Sequence, residues 1–171
     1  MVYNNRRQSR RQYTKKGEWK LDKREVLKRS DLFRELNDEQ IDSLEKICTC
    51  EVYEQGAFIC RQNTFSDKLS VIEEGLVAII LETGPLSQRQ LQAVSNFETF
   101  GWETVIPPHL RTDSAKAIEQ TRVLALNGQD LIDLFKTDCP TGCVVYQGVA
   151  RVVASRLQSA FMQLLGVCSQ E

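Results

Sequence analysis

Phe97 to Ala117 read FETFGWETVIPPHLRTDSAKA, and no other stretch of the chain gathers as much chemistry. Gly101 follows the aromatic Phe100 and opens a short apolar segment, Thr104-Val105-Ile106. If that segment closes into one helical turn, the N–H groups near Gly101–Glu103 point outward without partners. Such an end attracts anions, and glycine lets a ligand approach the backbone. Ten residues after Gly101 stands Arg111, followed by Thr112 and Ser114. A guanidinium near a helix N-terminus clamps phosphate well, because it offers two parallel charge-assisted hydrogen bonds. Taken alone, an isolated arginine is more often a solvated surface residue. Pro107-Pro108 stiffens the loop before it.

Outward from this stretch, the chain has the size of one domain. Its 171 residues are long enough to bury a core without metal or disulfides. The net charge of −1 excludes a wholly basic nucleic-acid binder and an acidic disordered tail. That average conceals a split. Residues 1–29 carry eleven basic and three acidic side chains, a net of +8, whereas residues 30–171 carry a net of −9. The basic stretch 1–29 is expected to be a flexible leader. Its sharper alternative is an electrostatic contact to nucleic acid or an anionic surface. No apolar signal region and no membrane-length apolar run is present, so the expected location is cytoplasmic. There the six cysteines would stay reduced, as small buried core thiols. One histidine, His109, and no pair of CxxC knuckles argue against a metal site.

The elements follow from period and punctuation. A short charged helix fits Asp22 to Arg29. Asn37 with Gln40 three residues on forms a capping box, and the spacing predicts a helix over about 38–47. From Cys48 the pattern turns to short strands. Val52-Tyr53, a turn at Gln55-Gly56, and Ala57 to Ile59 read as strand, turn, strand. Leu69–Ile72 and Leu76–Leu81 flank Glu73-Glu74-Gly75 as a hairpin with glycine at a positive φ. After a break at Thr83-Gly84-Pro85, Leu91–Val94, Ser114–Ile118 and Thr121–Leu126 add strands. Asn127 then caps a helix, and Asp138 with Pro140 starts another. Val144 to Val167 stays helical, with a stripe at Val145, Val149, Val153, Leu157, Phe161 and Leu164. Gly148 inside it suggests a bend or a close helix approach.

With this order in place, Phe97–Ala117 resembles the phosphate-binding cassette of the cyclic-nucleotide-binding domain, in the superfamily of the catabolite activator protein. The family pattern is Phe-Gly-Glu, a small apolar helix, a loop, then Arg, a small or hydroxyl residue and a strand. The resemblance extends over about residues 31–165. Asp31-Leu32-Phe33-Arg34-Glu35-Leu36-Asn37 is similar to the family's opening segment, Gly56 to Ile59 to its glycine turn, and Leu69 to Gly75 to its central hairpin. Leu124-Ala125-Leu126-Asn127 is similar to its last strand. The fold implied is mainly β with flanking helices: a double-stranded β-helix (jelly-roll, cupin-like) barrel, N-terminal helices and a long C-terminal helix. The expected division is a leader at 1–29, the β-roll with its helices at 30–137, and the C-terminal helix at 138–171.

By that resemblance Gly101, Arg111 and Thr112 are the phosphate contacts. Trp102, Glu103 and Ser114 are the candidates for sugar or base. The departure is at Trp102. The family holds the ribose 2′-hydroxyl with a glutamate directly after the glycine, and here Glu103 comes one place later, turned by ~100° on a helix. From the C-terminal helix Gln147, Arg151, Ser155 and Arg156 are open alternatives for reaching a base. The function implied is a non-catalytic regulatory sensor, with cAMP, cGMP or another small anion as ligand and no further cofactor. It would signal through its C-terminal helix and form a homodimer through residues 144–165. The alternative is a ligand-free dimeric scaffold with Trp102 plugging the pocket. An enzyme of cupin architecture lacks the histidines it would need. The chain ends at Glu171, soon after the long helix, so no helix-turn-helix contact to DNA is expected.

Overall fold

The computed structural model describes residues 12–13, 19–20, 22–84 and 87–166. Two short strands, β1 (Gln12–Tyr13) and β2 (Trp19–Lys20), pair antiparallel. The other expectations for 1–21 fall largely outside the described residues. The body then begins earlier than the expected boundary at residue 30. Helix α1 (Lys23–Arg29), capped by Asp22, buries Val26 and Leu27 completely. The leader as proposed therefore loses its last turns to the core, because Val26 and Leu27 join the helix-side apolar cluster while Lys23, Arg24 and Lys28 bond to Cys48 O, Asp42 and Asp38. Helix α2 (Asp38–Ile47) carries the capping box, with Asn37 and Gln40 bonding reciprocally.

Eight strands follow: β3 (Cys48–Tyr53), β4 (Phe58–Cys60), β5 (Lys68–Glu74), β6 (Val77–Gly84), β7 (Ser87–Val94), β8 (Thr99–Phe100), β9 (Ser114–Ala117) and β10 (Thr121–Asn127). They form two antiparallel four-stranded sheets, in the orders β3-β10-β5-β8 and β4-β9-β6-β7. This is the jelly-roll expected. The β5–β6 turn places Gly75 at φ +122°. The two-residue strand β8 has no sequence signal of its own, and it forms because Ser70 and Val71 of β5 offer it an edge.

Two apolar clusters explain why β5 and β10 read as nearly continuous apolar runs. Strand side chains alternate between faces. Val123 and Ile72 point into the roll with Val77, Ile79 and Phe100. Leu124, Leu126, Leu69 and Val71 point outward into a second cluster built with the helices. Both faces of this sheet are covered, so alternation of apolar with polar residues is lost.

Helix α3 (Gly128–Thr137) is capped by Asn127, and α4 (Cys139–Leu164) by Asp138 with Pro140 in its first turn. The two C-terminal segments read from sequence are thus one helix from Cys139. Gly148 marks a close approach: a Cβ there would lie 2.7 Å from Leu32 Cδ1 and from Leu32 O. The cysteine expectation needs correction. Cys48 is buried, but Cys50, Cys139 and Cys143 are exposed, because the outer face of β3 and the outer face of α4 meet solvent. No helix among the described residues is long and apolar enough to cross a membrane.

Candidate functional site

The segment after β8 turns sharply. Gly101 sits at φ +80°, in the left-handed region, and a one-turn 3₁₀ helix follows over Trp102–Val105. The glycine is needed for space as well as for φ. A Cβ there would stand 2.7 Å from the Lys68 carbonyl and inside the Arg111 guanidinium. Arg111 therefore lies across the backbone of Gly101, which is the pairing of glycine and arginine that the sequence suggested.

Arg111 is only 5% exposed. Its backbone is clamped between Thr64 and Asn63, its N–H donating to Thr64 O and its carbonyl accepting from Asn63 N–H. Its Nη2 donates to Lys68 O at 2.7 Å and stands 3.8 Å from Asp67 Oδ1. Nε and Nη1 are buried without a partner. A buried guanidinium with two open donors is costly unless an acceptor arrives.

Glu103 faces Thr112. Its buried carboxylate accepts from both the Thr112 N–H (3.1 Å) and the Thr112 hydroxyl (2.5 Å). Thr112, expected as a phosphate contact, has thus committed its donors to an internal anion. Ser114 is equally committed: its hydroxyl donates to Glu82 and accepts from the Gln62 N–H. It joins β9 to the rest of its sheet and does not stand with the other candidates.

Trp102 lies on the other side of the turn. It lines a cavity of about 270 Å³ between the roll and α4, with Ile79, Leu91, Asp113, Arg156 and Leu157 among the walls. Of the four alternatives on α4, Arg156 reaches this cavity, held by a 2.6 Å bond to Thr99 O. Arg151 pairs instead with Glu35, and Gln147 bonds back to Cys143. Asp113 is the wall residue that the sequence reading passed over. Its only signal was its place between Thr112 and Ser114, where β9 begins. Burial chiefly, with the nearby Glu103 carboxylate second, pushes its carboxyl up to about 6. Among the described residues no group of three or more His, Cys, Asp and Glu is set to hold a metal ion.

The structure thus forms two clusters. Gly101, Arg111, Glu103 and Thr112 gather around the 3₁₀ turn, and Trp102, Asp113 and Arg156 form the polar margin of an otherwise apolar cavity; a 3.3 Å bond from the Thr112 hydroxyl to Asp113 Oδ2 joins the two. The cyclic nucleotide-binding domain model matches residues 50–138 of this chain, which include both clusters except Arg156. The cyclic AMP receptor protein of Thermus thermophilus is 28% identical over 138 residues, covering 81% of this chain and 62% of that protein. This chain therefore spans less than two thirds of that relative's length. A candidate cyclic nucleotide-binding protein from Geobacter metallireducens superposes with a TM-score of 0.71 at 27% identity, covering 80% of this chain and 99% of that one. The Thermus thermophilus catabolite activator protein superposes with a TM-score of 0.66 at 28% identity, covering 79% and 62%.

Proposed function

This chain belongs to the cyclic nucleotide-binding domain family, and we propose that it is a regulatory sensor module for a cyclic nucleotide or another small anion. One observation carries the reading: the Arg111 guanidinium is buried against Gly101 with Nε and Nη1 unpartnered. A phosphate oxygen is the acceptor those donors lack. The base would enter the apolar cavity with Trp102 as a stacking wall and Arg156 at its edge. A ligand there would favour the state in which the outer half of α4 lies on the roll, so its differential affinity would pass along α4. A second copy along residues 144–165 completes the reading, and the module performs no chemistry of its own.

Glu103 and Trp102 favour a second reading, a ligand-free scaffold. Glu103 already occupies both Thr112 donors, and Trp102 takes up part of the cavity. Calorimetric titration with cAMP and cGMP separates the two. The sensor reading expects heat with at least one nucleotide and an affinity at least about tenfold lower in Arg111→Ala, which is about 1.4 kcal/mol. Absence of heat with both nucleotides, alongside a folded Arg111→Ala that behaves as the parent, would leave the scaffold.

A further inference from the structure

A second chamber continues the cavity along α4. It measures about 390 Å³ and shares Gln92, Arg156 and Ser159 with the first. The two form one cleft with α4 as a common wall and these three residues at its waist. Their chemistry differs. The first chamber is walled mainly by Trp102, Ile79, Leu91 and Leu157. The second is lined by Arg34, Arg151 and Arg156 together with Asp31 and Glu98.

The arginines are unevenly distributed. Residues 30–171 hold seven arginines at a net charge of −9, and three of the seven line this one chamber. Ion pairing within the fold does not account for all three. Arg151 pairs with Glu35 and Arg156 donates to Thr99 O. The Arg34 side chain is exposed and has no hydrogen bond or ion pair among the described residues. Asp31 Oδ1 is buried without a partner, although its other oxygen accepts from the Thr99 N–H. The long-range field of an acidic body repels anions, so capture needs local donors that can make bidentate bonds. The chamber supplies such donors, with an unsatisfied acceptor beside them.

We propose that the cleft takes a nucleotide carrying two phosphates: one in the second chamber on Arg34, Arg151 and Arg156, the other directed past Asp113 toward Arg111, which lies behind that wall and lines neither chamber itself. Asp31 accepts from a hydroxyl or N–H of the ligand's second half. This rests on the sensor reading and names its ligand class. Size supports it. The first chamber falls below the roughly 300–1,000 Å³ of small-molecule pockets, whereas the joined cleft falls inside that range.

The test is calorimetry on the full chain with cAMP, cGMP, cyclic di-AMP and cyclic di-GMP, in the parent, Arg34→Gln and Arg111→Ala. A cyclic dinucleotide should bind at least about tenfold tighter than the cyclic mononucleotide with the same base. Arg34→Gln, a change at an exposed side chain, should remove most of that advantage and leave mononucleotide affinity unaltered. Arg111→Ala should weaken both classes. Equal affinity for the two classes, or a dinucleotide affinity untouched by Arg34→Gln, overturns the second chamber and leaves the sensor reading standing. No binding of either class overturns both.

Discussion

The two halves of α4 carry the same apolar stripe and meet different fates. In the first half Val145, Gly148 and Val149 are buried, and Leu32 packs onto the Gly148 backbone. Tyr146 adds a bond from its hydroxyl to Val105 O, at the end of the 3₁₀ turn. In the second half Leu157 and Phe161 are more than half exposed, and Leu164 is 82% exposed. The roll and its helices bury the apolar stripe of the first half, whereas the second half is held to the roll by polar bonds, from Arg156 to Thr99 O and from Gln163 to Leu91 O. Periodicity reports which side of a helix is apolar, not how far along the helix a partner extends. In the proposed sensor, the outer half is the part a ligand would redirect at lowest cost, because few of its apolar side chains are buried.

The largest effect is expected where the anchored half is attacked. Leu32→Ala removes a fully buried side chain that fills the groove left by Gly148. Such truncations cost about 2–5 kcal/mol. Chemical denaturation should show a lower midpoint at an unchanged slope. A loss below about 1 kcal/mol would mean that α4 is no more firmly held at residue 148 than at residue 161.

Asp113 should give the next effect, through pH. It borders the cleft under the outer half, facing Glu103 of the 3₁₀ turn, Arg111 of its own loop and Arg156 of α4. Burial and the Glu103 carboxylate push its carboxyl up to about 6, from an ordinary value of 3.8. The folded state therefore holds the proton more tightly than the unfolded chain, and the ionised form is penalised by folding. That penalty is absent below about 3.8, grows as pH rises, and is complete above about 6. Asp113→Asn should be more stable than the parent at pH 8, with the margin shrinking through pH 6 and vanishing near pH 4. Asp31 shifts in the same direction through burial, but it is present in both proteins and cancels. A margin that stayed constant across this range would remove Asp113 from the set of strained groups.

Much of this molecule was legible in sequence because local signals and tertiary packing agree. The Asn37–Gln40 capping box, the glycine of the β5–β6 turn and the apolar runs of β5 and β10 each state one local preference that the fold keeps. Gly101 and Arg111 were legible as a pair, and the contact between them explains why the glycine is needed. The partners of Thr112 and Ser114 were not legible, because a hydroxyl bonds to whatever acceptor packing provides, here Glu103 and Glu82. Asp113, just before β9, and Arg156 of α4 line the same cavity, and no spacing in one dimension records that. The docking of α1 was missed because a strongly basic composition hid two apolar residues.

The smallest effect should come from the outer half itself. Phe161 is 54% exposed, so Phe161→Ala gives up little burial within one chain. Its unfolding free energy in dilute solution should stay within about ±0.5 kcal/mol of the parent, as for surface substitutions generally. Set beside Leu32→Ala, that near-zero value is the informative one, since both residues belong to the same helical contact system and differ mainly in what covers them. Sedimentation of the two proteins over a range of concentrations supplies the second reading. If a second copy covers residues 144–165, Phe161→Ala should weaken self-association while leaving the isolated chain as stable as before. A concentration-independent loss of about 2 kcal/mol or more would show that the outer half of α4 is anchored within the chain after all, and the contrast between the halves would fail.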